Sequence, residues 1–201
     1  MGYSIASTGD GHDEVLLLGD PRLRVVCHPV TDYGSLELKR DGERLIRALE
    51  RFRAEHGFGR AMAAPQIGIL RRMIAMNLGK GPFLIINPIL SAKSAETFTL
   101  WDDCMSFPWL MVRLKRKVHM DLAYFDEKGS PQIWTDLERT VSELIQHETD
   151  HLDGILAVDH ALDKDSIIAR VVYEQHRHYF DGQVDYAIVP TIPLSDGEAK
   201  S

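Results

Sequence analysis

The chain has 201 residues, of which 44% are apolar and 26% charged, and its formal net charge is −7. That length suits one domain with its own hydrophobic core, and two cysteines with no CxxC pair give no disulfide framework. The acidic balance argues against stable nucleic-acid binding or a grip on anionic lipid, and no apolar run approaches a membrane span.

In chain order, residues 1–13 are polar and Gly-rich and are expected to form a flexible tail. MGYSIASTGDGHDE lacks the basic-then-apolar layout of a signal peptide, so the cytoplasm is the expected location. Residues 14–190 read as a single α+β domain and 191–201 as a polar tail. In SLELKRDGERLIRALERFRAEHG the residues Leu36, Leu38, Leu45, Ile46, Leu49 and Phe52 make a helical stripe, which Gly57 and Gly59 end. RMIAMNL, FLIINPIL and VRLKRKVHMDLAYFD then alternate as strands do, with a hairpin turn at residues 126–129. A second helix is expected over 136–152, stopped at Gly154, and a weaker one over 164–180. VDYAIVPTIPL is expected to be extended.

The second helix carries the chemistry, in QHETDHLDG. His147 and His151 stand four apart, so both imidazoles lie on one side, one turn from each other, where two nitrogens can meet one cation. They share the core-facing stripe of Val141, Leu144, Ile145 and Leu152. Glu148, beside them, can take a proton from a water that such an ion activates. A zinc protease of the long HExxHxxGxxH type needs a third histidine at a position held by Ala157, and His160 comes a turn too late. Cys104, in LWDDCMSFP, offers a thiolate that suits zinc or ferrous iron; the other reading is an inert buried thiol, as expected for Cys27. GRAMAAPQIGI, residues 59–69, has small residues that permit close backbone approach and the Gln66 amide on a stiff turn.

In that order GRAMAAPQIGI, DDCMS and HETDH resemble the peptide deformylase family, whose motifs are GxGxAAPQxG, EGCxS and HExDH. The resemblance runs over about residues 15–160 and includes DPRLR, INP at 86–88 and YFDEKG at 124–129. It implies small antiparallel or mixed sheets packed around a central helix that carries HExxH. It also implies that Cys104, His147 and His151 bind one divalent metal, Fe2+ first and Zn2+ or Ni2+ otherwise. Glu148 would be the general acid and base, while the Gln66 amide and the Met105 backbone N–H would form the oxyanion hole. The implied reaction removes formyl from N-formylmethionyl peptides, on nascent chains and with a transient ribosome contact.

Two departures bear on substrate. Ala61 stands at the second glycine of the first motif and Met62 at its leucine, and Asp102-Asp103 replace Glu-Gly in the second. Gly59, Ala61, Met62 and Asp103 are therefore expected at the substrate cleft. The Ala61 methyl would either be harmless or block backbone pairing with a bound peptide, and Asp103 would either point to solvent or narrow the cleft and favour a positively charged feature. Those changes support two other readings, a deformylase specialised for another N-formyl compound and a silent metal-binding paralogue. Met62, Trp101, Met105, Phe107 and Trp109 suit either a pocket for a methionine-like side chain or the core. Arg113, Lys115 and Lys117 form one basic strand face, read as solvated rather than as an RNA contact. His176 and His178, two apart, give no second metal site.

Overall fold

The computed structural model describes residues 13–188. Both expected tails and the end of VDYAIVPTIPL fall outside that range, apart from Asp13, which Arg44 holds at 2.6 Å. The first helix, α1 (Leu36–His56), begins at Ser35, whose hydroxyl accepts from the Leu38 N–H, and ends at Gly57 with φ 74°. Its stripe is buried apart from Ile46, which is half-buried, and Leu36, which is 80% exposed. As the first helical residue, Leu36 precedes the turn that meets the sheet.

The strands are β1 (Ala61–Ala63), β2 (Met73–Met76), β3 (Phe83–Ala92), β4 (Thr97–Asp102), β5 (Leu110–Lys117), β6 (Met120–Phe125), β7 (Pro131–Trp134) and β8 (Ile167–Ala169). They form two antiparallel sheets, ordered β1-β2-β3-β6-β7 and β4-β5-β8. VRLKRKVHMDLAYFD is thus cut in two, with β5 in one sheet and β6 in the other. The expected turn after Phe125 does join β6 to β7 as a hairpin, with Gly129 at φ 77°. In INP, Asn87 sits at a break in the β3–β6 register with φ 50°. Its amide clamps both backbone groups of Val30 and donates to the Tyr33 hydroxyl.

The second helix, α2 (Arg139–Leu152), starts three residues later than expected, because the backbone of Asp136 and Leu137 bonds to Asp121 and Met120 instead. The larger sheet is covered on both faces. Leu45, Leu49 and Phe52 of α1 pack on Met62, Met73 and Ala75, while Val141, Leu144 and Ile145 of α2 pack on Ala61, Ala63, Ile74 and Met76. Strand alternation explains this sorting, since neighbouring residues face opposite sides. The smaller sheet encloses Phe98, Leu100, Val112 and Leu114 with Phe107 and Leu156.

The weak third helix resolves differently. Ile167, Ile168 and Ala169 pair with β5 as β8, and short helices α3 (Arg170–Gln175) and α4 (Arg177–Asp181) follow, broken at His176. Two β-branched residues beside an open strand edge satisfy more backbone groups as a strand than as a helix turn.

Candidate active site

The central helix α2 touches β1 and β2 of one sheet and β5 of the other. Gln146 locks it to the smaller sheet, accepting from the Lys117 N–H at 2.9 Å and donating to the Lys117 carbonyl at 3.0 Å. This presents His147 and His151 to the loop that follows β4. There one ligand atom each of Cys104, His147 and His151 lies within 4.8 Å of the others, and all three residues are buried. Cys104 Sγ is 3.3 Å from His151 Nε2. Gln66 enters from the turn after β1. Its Oε1 accepts from the Ala63 N–H at 2.9 Å, which aims Nε2 at Cys104 Sγ, 3.7 Å away, and Ser106 Oγ, 3.3 Å away. The Met105 N–H has no protein acceptor among the described residues.

A buried chain of charges stands behind the ligands. Asp102 Oδ2 accepts from His147 Nδ1 at 2.9 Å and from Arg116 at 3.2 Å, and Arg116 also reaches Asp150 at 2.5 Å. Burial alone would raise Asp102, but His147 and Arg116 hold it well below the usual carboxylate range. His147 is driven the other way: burial opposes its charge, yet the Asp102 carboxylate and the Cys104 sulfur raise it well above the ordinary imidazole value. Burial and the neighbouring His147 push His151 well down, so it is neutral. Burial raises the Cys104 thiol, with His147 and the Ser106 N–H opposing. Glu148 is pushed up to about 7 by burial, with Asp102 adding to the rise and His147 and the Ala63 N–H working against it.

These residues fit a divalent cation. One sulfur and two imidazole nitrogens are a donor set for zinc or ferrous iron, and a positive ion would stabilise the thiolate that burial disfavours. Glu148 Oε2 is buried without a hydrogen-bond partner beside them, a costly state unless a water or ion completes it.

A family model described as polypeptide deformylase matches residues 12–166 of the chain. The chain belongs to the polypeptide deformylase family. It is 37% identical over 145 residues to the peptide deformylase of Thermotoga neapolitana, covering 72% of this chain and 84% of that one. The crystal structure of the Thermotoga maritima peptide deformylase superposes with a TM-score of 0.68 at 32% identity, covering 76% and 99% of the two chains. A Plasmodium falciparum peptide deformylase solved with an inhibitor gives 0.64 at 27%, covering 84% and 97%. Deformylases are metal-dependent hydrolases, and this member removes the N-formyl group from nascent peptides.

The deformylase cavity, about 120 Å3, adjoins Cys104, His147, Glu148 and Gln66 and takes in Gly59, Ala61, Asp103 and Met105. Gly59 has φ 118°, and a Cβ there would lie 2.5 Å from the Met105 methyl. Met62 does not reach the cavity: strand alternation turns it to the α1 side, in the core. Trp101 and Phe107 are also core residues, and Trp109 is half exposed at the surface. The Asp103 backbone is not left-handed, since the positive-φ non-glycine residues among those described are Asn87 and Asp136. Its carboxylate is engaged by Arg170 of α3 at 2.6 Å, so it is no free charge awaiting a cationic substrate. Of the basic face on β5, Lys115 is exposed and Arg113 pairs with Asp163 at 3.0 Å.

Reading the sequence missed Asp102 and Arg116 as a positioning pair, Ser106, Arg170, and the Arg60–Glu143 pair in the cavity wall. One signal for Arg116 was available. Period two places it on the inward face with Val112 and Leu114, where a charge requires an acidic partner. Glu143 carried a similar signal, four residues before His147 on the buried stripe of α2.

Proposed function

We propose that deformylation is carried out by Glu148, the Gln66 amide and the Met105 N–H around one divalent cation held by Cys104, His147 and His151. Ferrous iron is the proposed ion; zinc and nickel suit the same donors. The observation that carries this reading is the convergence of the three ligand atoms within 4.8 Å beside the unpartnered oxygen of Glu148. When bound, the cation brings the pKa of a coordinated water towards neutrality and polarises a carbonyl.

Glu148 takes the proton from the attacking water at its carboxylate and returns it to the departing amine nitrogen, so formate and a free amino terminus are released. An acid whose burial places it near 7 can serve in both directions. Negative charge grows on the formyl oxygen, where Gln66 Nε2, fixed in orientation by Ala63, and the Met105 N–H can donate to it. Asp102 holds His147 through Nδ1, which leaves Nε2 for the ion. The formyl group has hydrogen where other acyl groups have carbon, so a cramped site at the reacting carbon would admit it and exclude larger acyl groups. The enzyme is proposed to act in the cytoplasm with a transient ribosome contact. Among the described residues no helix is long and apolar enough to cross a membrane.

The test is formate release from formyl peptides by anaerobically prepared protein of measured metal content. Turnover is expected to follow the metal content. Glu148→Gln is expected to keep the metal and lose activity by about 10²-fold or more. Full activity of that variant, or none in iron-loaded wild type, would overturn the assignment.

A further inference from the structure

The cavity wall next to the metal ligands contains an ion pair. Arg60 precedes β1, and Glu143 lies one turn before His147 on the same face of α2; both line the cavity. Arg60 Nη2 donates to Glu143 Oε1 at 2.5 Å, and Nη1 donates to the Thr140 carbonyl at 2.7 Å and to its hydroxyl at 3.1 Å. The side chains are only 11% and 1% exposed. Burial pushes Glu143 above the usual carboxylate range and Arg60 pulls it back, while the Glu143 charge keeps Arg60 protonated against its own burial.

We infer that this pair makes the enzyme select N-formyl substrates whose first side chain is a carboxamide, in preference to methionine. The inference rests on the deformylase reading. With the formyl carbon at Cys104, Glu148 and Gln66, the nitrogen and Cα of the formylated residue come next. Their side chain enters the remaining part of the same small cavity, bounded by Arg60, Glu143, Phe58 and Met105. Among the described residues, three of the five N–H donors of Arg60 have acceptors. A thioether is a weak acceptor with no donor, so it would return little to the Arg60 donors that are left over.

Charged side chains fit less well than a carboxamide. Glu143 is matched by Arg60, and Asp103 by Arg170 at 2.6 Å, so an added charge of either sign has no free partner. A carboxamide is neutral and offers an oxygen to the guanidinium and an N–H to the carboxylate. Sites built for hydrogen bonds reject analogues that lack them more strongly than apolar pockets reject a change in size.

The experiment compares kcat/KM of the metal-loaded enzyme for formyl-Gln-Ala-Ser, formyl-Met-Ala-Ser, formyl-Glu-Ala-Ser and formyl-Lys-Ala-Ser. The glutamine peptide is expected to exceed the methionine peptide at least tenfold and to exceed both charged ones. Methionine equal to or above glutamine, or a charged peptide in first place, overturns the preference and leaves deformylation intact. No turnover of any of the four overturns deformylation and the preference with it. The double variant Arg60→Leu with Glu143→Leu is expected to reverse the order of glutamine and methionine, and an unchanged order in a folded variant overturns the assignment to this pair. Should that variant not fold, calorimetry on wild type decides: Gln-Ala-Ser is expected to bind at least tenfold more tightly than Met-Ala-Ser, and equal binding overturns the preference.

Discussion

Asp102 illustrates how much of this site depends on residues that touch neither metal nor substrate. Its carboxylate holds His147 and Arg116 together, with side-chain exposures of about 4% for both Asp102 and Arg116. Asp102→Asn keeps the shape and removes the charge. Metal affinity is expected to fall 10- to 100-fold, because the imidazole loses the partner that orients it and raises its basicity. Stability should fall by about 3 kcal/mol, since Arg116 keeps only Asp150. A competition titration against a chromophoric chelator and a urea melt measure the two effects. The other cysteine makes a contrasting case. Burial raises the Cys27 thiol to about 11, with Arg72 opposing, against an ordinary value of 9.0. The folded state therefore holds the proton that the unfolded chain releases first, and this contribution is complete below pH 9 and lost as pH rises through 11. The stability of wild type relative to Cys27→Ala is expected to decline across that window in paired urea melts, and a flat difference would mean that the thiol is not protected.

The helices and strands differ in how far their own residues specify them. α1 announces itself by its stripe, its Ser35 cap and its Gly57 stop, all of which are local. The end of α2 is equally local in sequence, but its reason is tertiary: Gly154 has φ 72°, and a Cβ there would lie 2.7 Å from the Arg24 carbonyl oxygen. Gly154→Ala is expected to cost more than about 1 kcal/mol, from left-handed strain plus that contact, and the urea midpoint is the measure. An unchanged midpoint would show that the Arg24 backbone yields freely. The segment after Lys164 went the other way. Its helical pattern is real in α3 and α4, yet residues 167–169 pair with β5, an edge that cannot be seen from within the segment.

At the scale of the whole molecule, the proposed metal site adds a link between parts already joined by packing and by the hydrogen bonds of Gln146, Asp102 and Arg116. Cys104 follows a strand of the smaller sheet, His147 and His151 belong to the helix on the larger one, and Gln66 comes from the turn after β1. A cation bound to Cys104, His147 and His151 is expected to stabilise the folded state by about 2.7 kcal/mol at a free concentration 100-fold above its Kd. Chelation should therefore lower the Tm of wild type and leave that of metal-free Cys104→Ser unchanged. Equal shifts in both proteins would indicate that the chelator acts elsewhere.

The residues proposed to perform the chemistry were legible in the chain. HETDH states helical spacing and chemistry together for His147, Glu148 and His151, while Cys104, Gln66 and Met105 came from the resemblance of three motifs in order. Fold class followed from the same patterning. Spatial neighbours carry no such mark. Which side of β1 Met62 faces, whether Asp103 is free or bound to Arg170, and that Arg60 meets Glu143 across 83 residues were decided by packing of the two sheets against α2. Ligand identity is a property of side chains, whereas cavity shape and charge balance arise where distant segments come together, and only the folded chain brings them there.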